Sequence, residues 1–582
     1  MNKNTVIAVI LSTLVVIATF FMQTYLFPNS SKTNGNNVSK TDADSSVKES
    51  VTESEVFENQ VFFNEEENSS ITEEQVFIKT NKADIVLTNK GGDIISYKLF
   101  KHIDVETKDG VQMVDNVSET NRACALALGG IDSKIVNELF NIERIDENTV
   151  LFTKRFSEKD VNGNIKSFVL GKRYTFVPDE YMFKLDILIH ADDEQLLKNS
   201  DFTYTLRTSP QIGPHFNPKL NRYENRQFIS LNPNGRAKRQ VISANQFKQF
   251  NKEYVWNGIA GKYFEEIIIP LAPETMDFSY YSTQVEVNNY ANAQAILVRK
   301  PINVQDVQDS YYIYFGPRNE KDLKIYNTAE NNFFKLEGQR LGESLQSSGW
   351  LSWLEAGLKW FLEMIYKLVP NWGAAIIIMT VILKLAMFPM TRKQSLSTLK
   401  MQELQPQIKK MQEKYKDSPQ KQQEAMAKIY KESGYNPMSG CLPMGVQFLI
   451  LFAMYNLFNN YFEFRGASFI PGWISDLSSG DSIHTFKFTL PFLGNQLRIL
   501  PIIYLISQLL FGKITQNGGT AAAGSTQAQM NMMMYGMPIV FFFLFYNAPS
   551  GLLLYWTVSN LFQMGQQLVI NNMMKEKVKA KS

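Results

Sequence analysis

The chain has 582 residues with 59 Lys+Arg against 57 Asp+Glu, two Cys and four His. That length suggests several domains. Near-neutral charge gives no global nucleic-acid signal, two Cys cannot build a disulfide framework, and His at 102, 190, 215 and 484 give no zinc spacing. Only seven charged residues occur in the 138 positions from Pro437 to Met574, against 20% charged overall, which excludes a purely soluble protein.

Thr5 to Phe27 carries no charge and follows Lys3. It is long enough to cross a hydrocarbon core of about 30 Å. No small-residue cleavage site follows, so the stretch reads as an uncleaved anchor rather than a signal peptide. Asn29 to about Gln75 is rich in Ser, Asn, Thr and Glu and reads as a flexible tether.

From Val76 to about Tyr326 the pattern is that of strands. Tyr181, Phe183, Leu185, Ile187 and Ile189 alternate with the period of a half-buried strand. Turn signals separate such runs at 89–93, 162–164 and 232–235. A large antiparallel β-sandwich is expected. It holds no recognisable catalytic motif, and an isolated His there is expected to be structural.

Gly349 to Val369 reads as an amphipathic helix lying in the membrane interface. Ser352, Glu355, Lys359, Glu363 and Lys367 form its polar stripe, with Glu355–Lys359 and Glu363–Lys367 as i,i+4 pairs. Trp350, Trp353, Trp360 and Trp372 suit an interfacial position. Apolar spans follow at 373–390, 438–458, 497–514, 532–546 and 551–570, making six with the anchor.

Between the second and third spans, Thr391 to Asn436 carries ten basic and five acidic residues. It reads as a helical hairpin broken at Asp417-Ser418-Pro419, with Pro406 kinking its first arm. Arg392, Lys393, Lys409, Lys410 and Lys414 are its candidate docking residues, for anionic lipid or ribosomal RNA. The tail 575–582 adds four Lys against one Glu. The positive-inside rule puts the hairpin and both termini in the cytoplasm, and the β region outside.

Lys384 stands out, because a Lys near a helix centre costs about 2.5–3.5 kcal/mol on insertion scales. Thr380 shares its face. Gln447, Ser507, Gln508, Asn531, Thr557, Asn560 and Gln563 add polar groups to the other spans, and no Asp or Glu lies within the five C-terminal ones. Such a cationic cavity without a counter-ion suits a transient polar or acidic peptide. Met530, Met532, Met533, Met534 and Met537 offer a soft apolar surface at the fifth span.

Three separated motifs carry a resemblance: Asn371-Trp372-Gly373 through Pro389; Asn436-Pro437 with Gly440-Cys441-Leu442-Pro443 and Gln447; and Pro549-Ser550-Gly551-Leu552 through Tyr555 and Ser559-Asn560. Over roughly 350–575 the sequence resembles the YidC-type membrane protein insertases, in their Gram-negative form with a large periplasmic domain. Gly91-Gly92-Asp93 and Tyr314-Phe315-Gly316-Pro317 resemble it more weakly. The resemblance implies a five-helix core with a hydrophilic groove open to cytoplasm and lipid. It implies that the chain inserts and chaperones nascent membrane proteins in the phospholipid bilayer of the bacterial inner membrane, alone or with the Sec translocon. The ribosome is an implied partner, DNA is not, and neither enzyme chemistry nor a cofactor or metal is expected.

The family's groove Arg falls at Lys384, which keeps the charge but loses the planar fork. By the same matching, Thr380, Leu451, Tyr555 and Trp556 line the client path; Gln447 and Gln508, read from their polarity within the spans, are expected to join them. The expected organisation is anchor 1–27, linker 28–75, periplasmic β-sandwich 76–340, interfacial helix 341–370, insertase core 371–574 with cytoplasmic hairpin 391–436, and basic tail 575–582. The rival reading is a secondary transporter with a midplane solute site, which predicts inverted repeats and coordinating carboxylates; neither is visible.

Overall fold

The computed structural model describes residues 71–579 apart from 105–106, 160–164, 193–196, 198–201, 216–223, 225, 242–246, 251–252, 286–290, 346–348, 416–417, 435–437, 491–492 and 518–534. The anchor, nearly all of the tether, the 162–164 turn, the methionines from Met530 to Met534 and the end of the tail lie outside the described residues.

The strand region forms three antiparallel sheets. The largest runs, edge to edge, Ala237–Val241, Gln227–Leu231, Trp256–Ala260, Phe264–Pro270, Asp306–Pro317, Met182–Ala191, Ile165–Thr175, Thr149–Lys159 and Asn141–Arg144. A second sheet orders Phe247–Phe250, Met276–Val285, Ala291–Arg299, Tyr204–Arg207 and Leu126–Leu128, and a third pairs Gln75–Lys79, Ala83–Thr88, Asp93–Ile103 and Gly110–Gln112. All three share one apolar core. Phe183, Leu185, Ile187 and Ile189 point into it, as their alternation requires. Phe315 meets Tyr97 edge-on at 5.1 Å and Phe183 at 5.4 Å.

The two weaker motifs have structural roles. At Gly91, φ is +72° and an added Cβ would sit 2.5 Å from the Val136 carbonyl oxygen, so only glycine fits. The turn delivers Asp93 into the interior, where it pairs with Lys172 and with Arg122 at 2.8 Å. Lys172 also donates to the carbonyls of Gly91 and Cys124. At the second motif Tyr314 Oη donates to the Pro317 carbonyl at 2.7 Å.

The helices are α1 (Glu320–Lys324), α2 (Ser352–Leu368), α3 (Trp372–Ala386), α4 (Phe388–Lys414), α5 (Pro419–Ser433), α6 (Met438–Asn460), α7 (Leu500–Asn517), α8 (Met537–Phe545) and α9 (Ser550–Lys579). The expected span 373–390 is bent by 54° between α3 and α4. Pro389 lacks a backbone N–H and is tolerated only in a first turn, so the helix restarts there. Helix α4 then continues through Pro406 into the first arm of the hairpin, and α5 is its second arm. Among the described residues no single helix is long and apolar enough to cross a membrane. The bent pair Trp372–Ala386 and Phe388–Ser397 passes the same test together, and Leu500–Ile514 is apolar but short. The count of six spans stays an expectation from sequence.

Helix α2 departs from expectation on its polar side. Lys359 reaches across to Glu320 of α1 at 2.6 Å and lies 4.0 Å from Glu363. Glu363 accepts from Tyr461 Oη and Glu355 from Asn456 Nδ2, each at 2.8 Å. The middle of the stripe, Glu355, Lys359 and Glu363, therefore faces α1 and the end of α6, while Ser352 and Lys367 at its ends stay exposed. Leu358, Leu362 and Ile365 join the helical core, while Trp350, Trp353 and Trp360 stay 72, 69 and 65% exposed.

Candidate client groove

The family-like motifs fix the helices that carry the site. Asn371 caps α3 by accepting from the Ala374 N–H at 3.0 Å. Trp372 stacks on Tyr366 at 3.8 Å, and at Gly373 an added Cβ would lie 2.2 Å from the Phe469 ring. At the start of α9, Ser550 N and Gly551 N donate to the carbonyls of Ser479 and Leu477, and Ser550 Oγ donates to that of Asp476 at 2.7 Å. Ser550 is thus spent on docking its helix.

These anchors bring α3, α6 and α9 together around Lys384, with α7 packed along α9. Its side chain is buried, at 6% exposure, and Nζ donates to Gln447 Oε1 at 3.4 Å and Gln563 Oε1 at 3.2 Å. Gln566 Nε2 donates to the Lys384 carbonyl at 3.1 Å. Among the described residues no carboxylate pairs with Lys384. Asn560 Nδ2 donates to Ser507 Oγ at 2.8 Å, and Gln508 Nε2 to Tyr504 Oη at 2.8 Å. A cation held only by amide oxygens keeps its net charge and can attract an anionic group.

The expected lining residues divide. Lys384 and Gln447 meet directly, and Gln508 lies on α7 one turn from Tyr504. Thr380 is fully buried, its hydroxyl turned back on the Ile376 carbonyl at 2.6 Å. Leu451 is partly buried against the helical core, on the same face of α6 as Gln447. Tyr555 is buried against Phe458, and Trp556 packs on Tyr504 and edge-on against Phe545 at 4.7 Å. Trp556 Nε1 and Thr557 Oγ1 are buried with no partner among the described groups.

The basic hairpin lies beyond this cluster. Ser395 Oγ of α4 donates to Gln567 Oε1 of α9 at 3.1 Å, tying the hairpin's root to the same helix. Arg392, Lys393, Lys410 and Lys414 are exposed; the side chain of Lys409 lies outside the described set.

Two family models match the chain: "YidC periplasmic domain" over residues 75–361 and "60Kd inner membrane protein" over 364–577. A membrane protein insertase YidC of Treponema denticola is 43% identical over 99% of this chain and 100% of its own length. This chain belongs to the YidC membrane protein insertase family. The YidC of Treponema pallidum is 37% identical over 98% of this chain and 99% of its own. A solved structure of an active YidC insertase, with its first transmembrane domain resolved, covers 85% of this chain and 92% of its own at 20% identity and a TM-score of 0.35. Within the YidC core seen here, Gln566, Gln567 and Ser395 complete the polar cluster beyond the residues singled out from sequence. Their signal is the spacing of Gln563, Gln566 and Gln567, three and four apart on one helical face.

Proposed function

We propose that the chain inserts hydrophobic client segments into the bacterial inner membrane and assists their folding, with the Lys384 cluster as its groove. Membrane protein insertion is the function by which its relatives are named, and the transporter reading has no support among them. The observation that carries the residue-level reading is Lys384, buried and, among the described residues, partnered by amide oxygens alone.

Polar side chains from α3, α6, α7 and α9 lower the desolvation cost of a client's polar flank as it enters. Lys384 attracts acidic flanks electrostatically. The client's apolar segment then moves sideways into lipid, where burial drives the process. No chemical step is required.

Helix α6 runs from the basic hairpin at Met438 to the β region beyond Asn460, which supports opposite sides for the two. In this reading the hairpin 391–436 and both termini are cytoplasmic, and the unit 76–340 is periplasmic. The exposed Arg392, Lys393, Lys410 and Lys414 support a docking role at the ribosome or at anionic lipid.

The test uses the purified full chain in lipid vesicles, a single-span client and no nucleotide. Client insertion is read by protease protection. The reading expects insertion above empty vesicles, retention by Lys384→Arg, and a loss in Lys384→Ala confined to clients with acidic flanks. No insertion above empty vesicles would sink the function. Equal insertion of every client by wild type and Lys384→Ala, at equal protein level, would sink the groove role alone.

A further inference from the structure

Between α6 and α7 the chain forms a two-stranded antiparallel hairpin, His484–Leu490 with Gly494–Leu497, which among the described residues joins no larger sheet. Its base is rigidly held. The Asp481 carboxylate accepts from Trp473 Nε1 at 2.9 Å and from the N–H groups of Ile499 and Leu500 at 2.8 and 2.9 Å. Arg498 donates to the Asp481 carbonyl and to Asn547 Oδ1, and Tyr546 Oη donates to the Gln496 carbonyl at 3.0 Å. The hairpin is therefore pinned to the start of α7 and the end of α8.

Its two faces differ. His484, Phe486 and Phe488 project from one side, with the two Phe rings stacked at 5.2 Å and His484 edge-on to Phe486 at 5.0 Å. Thr485 and Lys487 alternate onto the other. Phe488 is 59% exposed and neighbouring Ile483 is exposed too. An isolated two-stranded hairpin is marginal in water at best, and an open aromatic row on one needs a cover. The cover is indicated by continuity. Helix α8, which ends beside the pinning Tyr546, exposes Ile539, Val540, Phe541 and Phe543, and α7 exposes Ile506 and Leu510. The hairpin lies at the end of the bundle nearest the β region, where Arg465 donates to the Ile103 carbonyl.

We propose that the 484–497 hairpin is an aromatic foot whose Phe486–Phe488 face lies in the interfacial layer of the phospholipid leaflet on the β-region side, with Thr485 and Lys487 turned to water. Aromatic rings favour that layer, where an apolar face can be buried while polar groups stay wet. Because the base is fixed to α7 and α8, the foot sets the depth at which those helices sit. The proposal rests on the membrane reading of the bundle.

The experiment uses the full chain with Cys441→Ser, in vesicles of phosphatidylethanolamine and phosphatidylglycerol; Cys124 is buried. A fluorophore is attached singly at Phe488→Cys, Lys487→Cys or Phe543→Cys. Quenching is read from lipids spin-labelled at the headgroup, at a shallow acyl carbon or near the chain end, and from aqueous iodide. The expected result is loss of Phe488→Cys fluorescence mainly with the shallow acyl label, the depth of roughly 5–10 Å that interfacial faces reach. Lys487→Cys should be quenched by iodide. If Phe543→Cys is quenched by lipid while Phe488→Cys responds only to iodide, the hairpin is solvated and the proposal is overturned. Shielding of Phe488→Cys from iodide and lipid labels alike means that protein covers it, which also overturns it. A Phe543→Cys label untouched by lipid probes would bring down the membrane reading itself, and this proposal with it.

Discussion

Two buried lysines show how differently the β region and the helical bundle treat a charge. Lys172 is fully buried between strands with Asp93 against it, Arg122 on the far side of that carboxylate, and two backbone carbonyls completing its shell. Lys384 is almost as buried and has, among the described residues, only the side-chain oxygens of Gln447 and Gln563. The first arrangement pairs its cation with a carboxylate and belongs to a closed fold. The second leaves the charge available. In the proposed reading, the contrast separates residues that hold the molecule together from residues that would meet a client.

The sharpest way to break this comparison is to remove the carboxylate. Asp93→Ala leaves Lys172 and Arg122 buried and unpaired, which costs about 3–5 kcal/mol. Hydrogen exchange of the Ile165–Thr175 strand in the full chain should quicken by roughly a hundredfold or more, as global or sub-global opening becomes easier. Little change in exchange would mean that the ion cluster does not hold the sheets.

A second test concerns packing in the bundle. Gly373→Ala drives a Cβ into the Phe469 ring, a clash that overpacked cores resist at about 1–3 kcal/mol. Melting in detergent should fall for Gly373→Ala and recover in part for Gly373→Ala with Phe469→Ala. Additive losses would show that the two residues are not coupled.

The third compares the lysines directly. Lys172→Met should destabilise the chain, since Asp93 loses one partner. Lys384→Met should leave melting unchanged or raised, because it removes a charge that no carboxylate among the described residues offsets. It should nonetheless lower insertion of acidic-flanked clients about fivefold, the ~1 kcal/mol that one cationic side chain contributes at a membrane surface. Loss of stability in both variants would erase the distinction.

Sequence periodicity shows the strand carrying Phe183 to Ile189 and the hairpin break near Pro419, because both are local patterns. It also shows Lys384 and its amides as candidates, because polar residues stand out against an apolar span. Other features depend on partners distant in sequence. The polar stripe of α2 reads as the self-paired polar side of an interfacial helix, and only tertiary contact reveals that Lys359 meets Glu320 and Glu363 meets Tyr461. The seating of the β region is equally non-local: Phe462 packs edge-on against His102 and Phe264, and the Arg465 guanidinium lies 4.9 Å over the Phe264 ring. The 484–497 hairpin did leave a trace, since Thr485 to Thr489 alternates polar and aromatic. A five-residue alternation inside a charge-poor stretch is outweighed by the reading of that stretch as connection and span. Pro389 likewise signals the bend between α3 and α4, but apolar composition alone runs straight across it.

A pH-dependent effect is set by two histidines of the β region, and it sharpens the comparison from within that region. His215 bonds Asp104 at 2.8 Å and Asp115 at 2.5 Å, and these hydrogen bonds raise its pKa to about 10. His102 sits at the junction against Phe264 and Phe462, where burial, then Arg465, Lys82 and Lys101, lower its pKa to about 4. In the unfolded chain both titrate near pH 6.5. A raised folded value gives a contribution that is complete below pH 6.5 and lost as pH climbs through about 10. A lowered one gives a contribution complete above pH 6.5 and lost as pH falls through about 4. The two histidines therefore bound stability from opposite sides. His215→Gln should flatten the decline of melting temperature between pH 6.5 and 10 and leave the acid side alone. His102→Phe should flatten the decline between pH 6.5 and 4, because a phenyl ring keeps the junction packing and cannot take a proton. If His102→Phe leaves the acid decline as steep as in wild type, acid loosening begins elsewhere and the junction is not the region that protonation opens first.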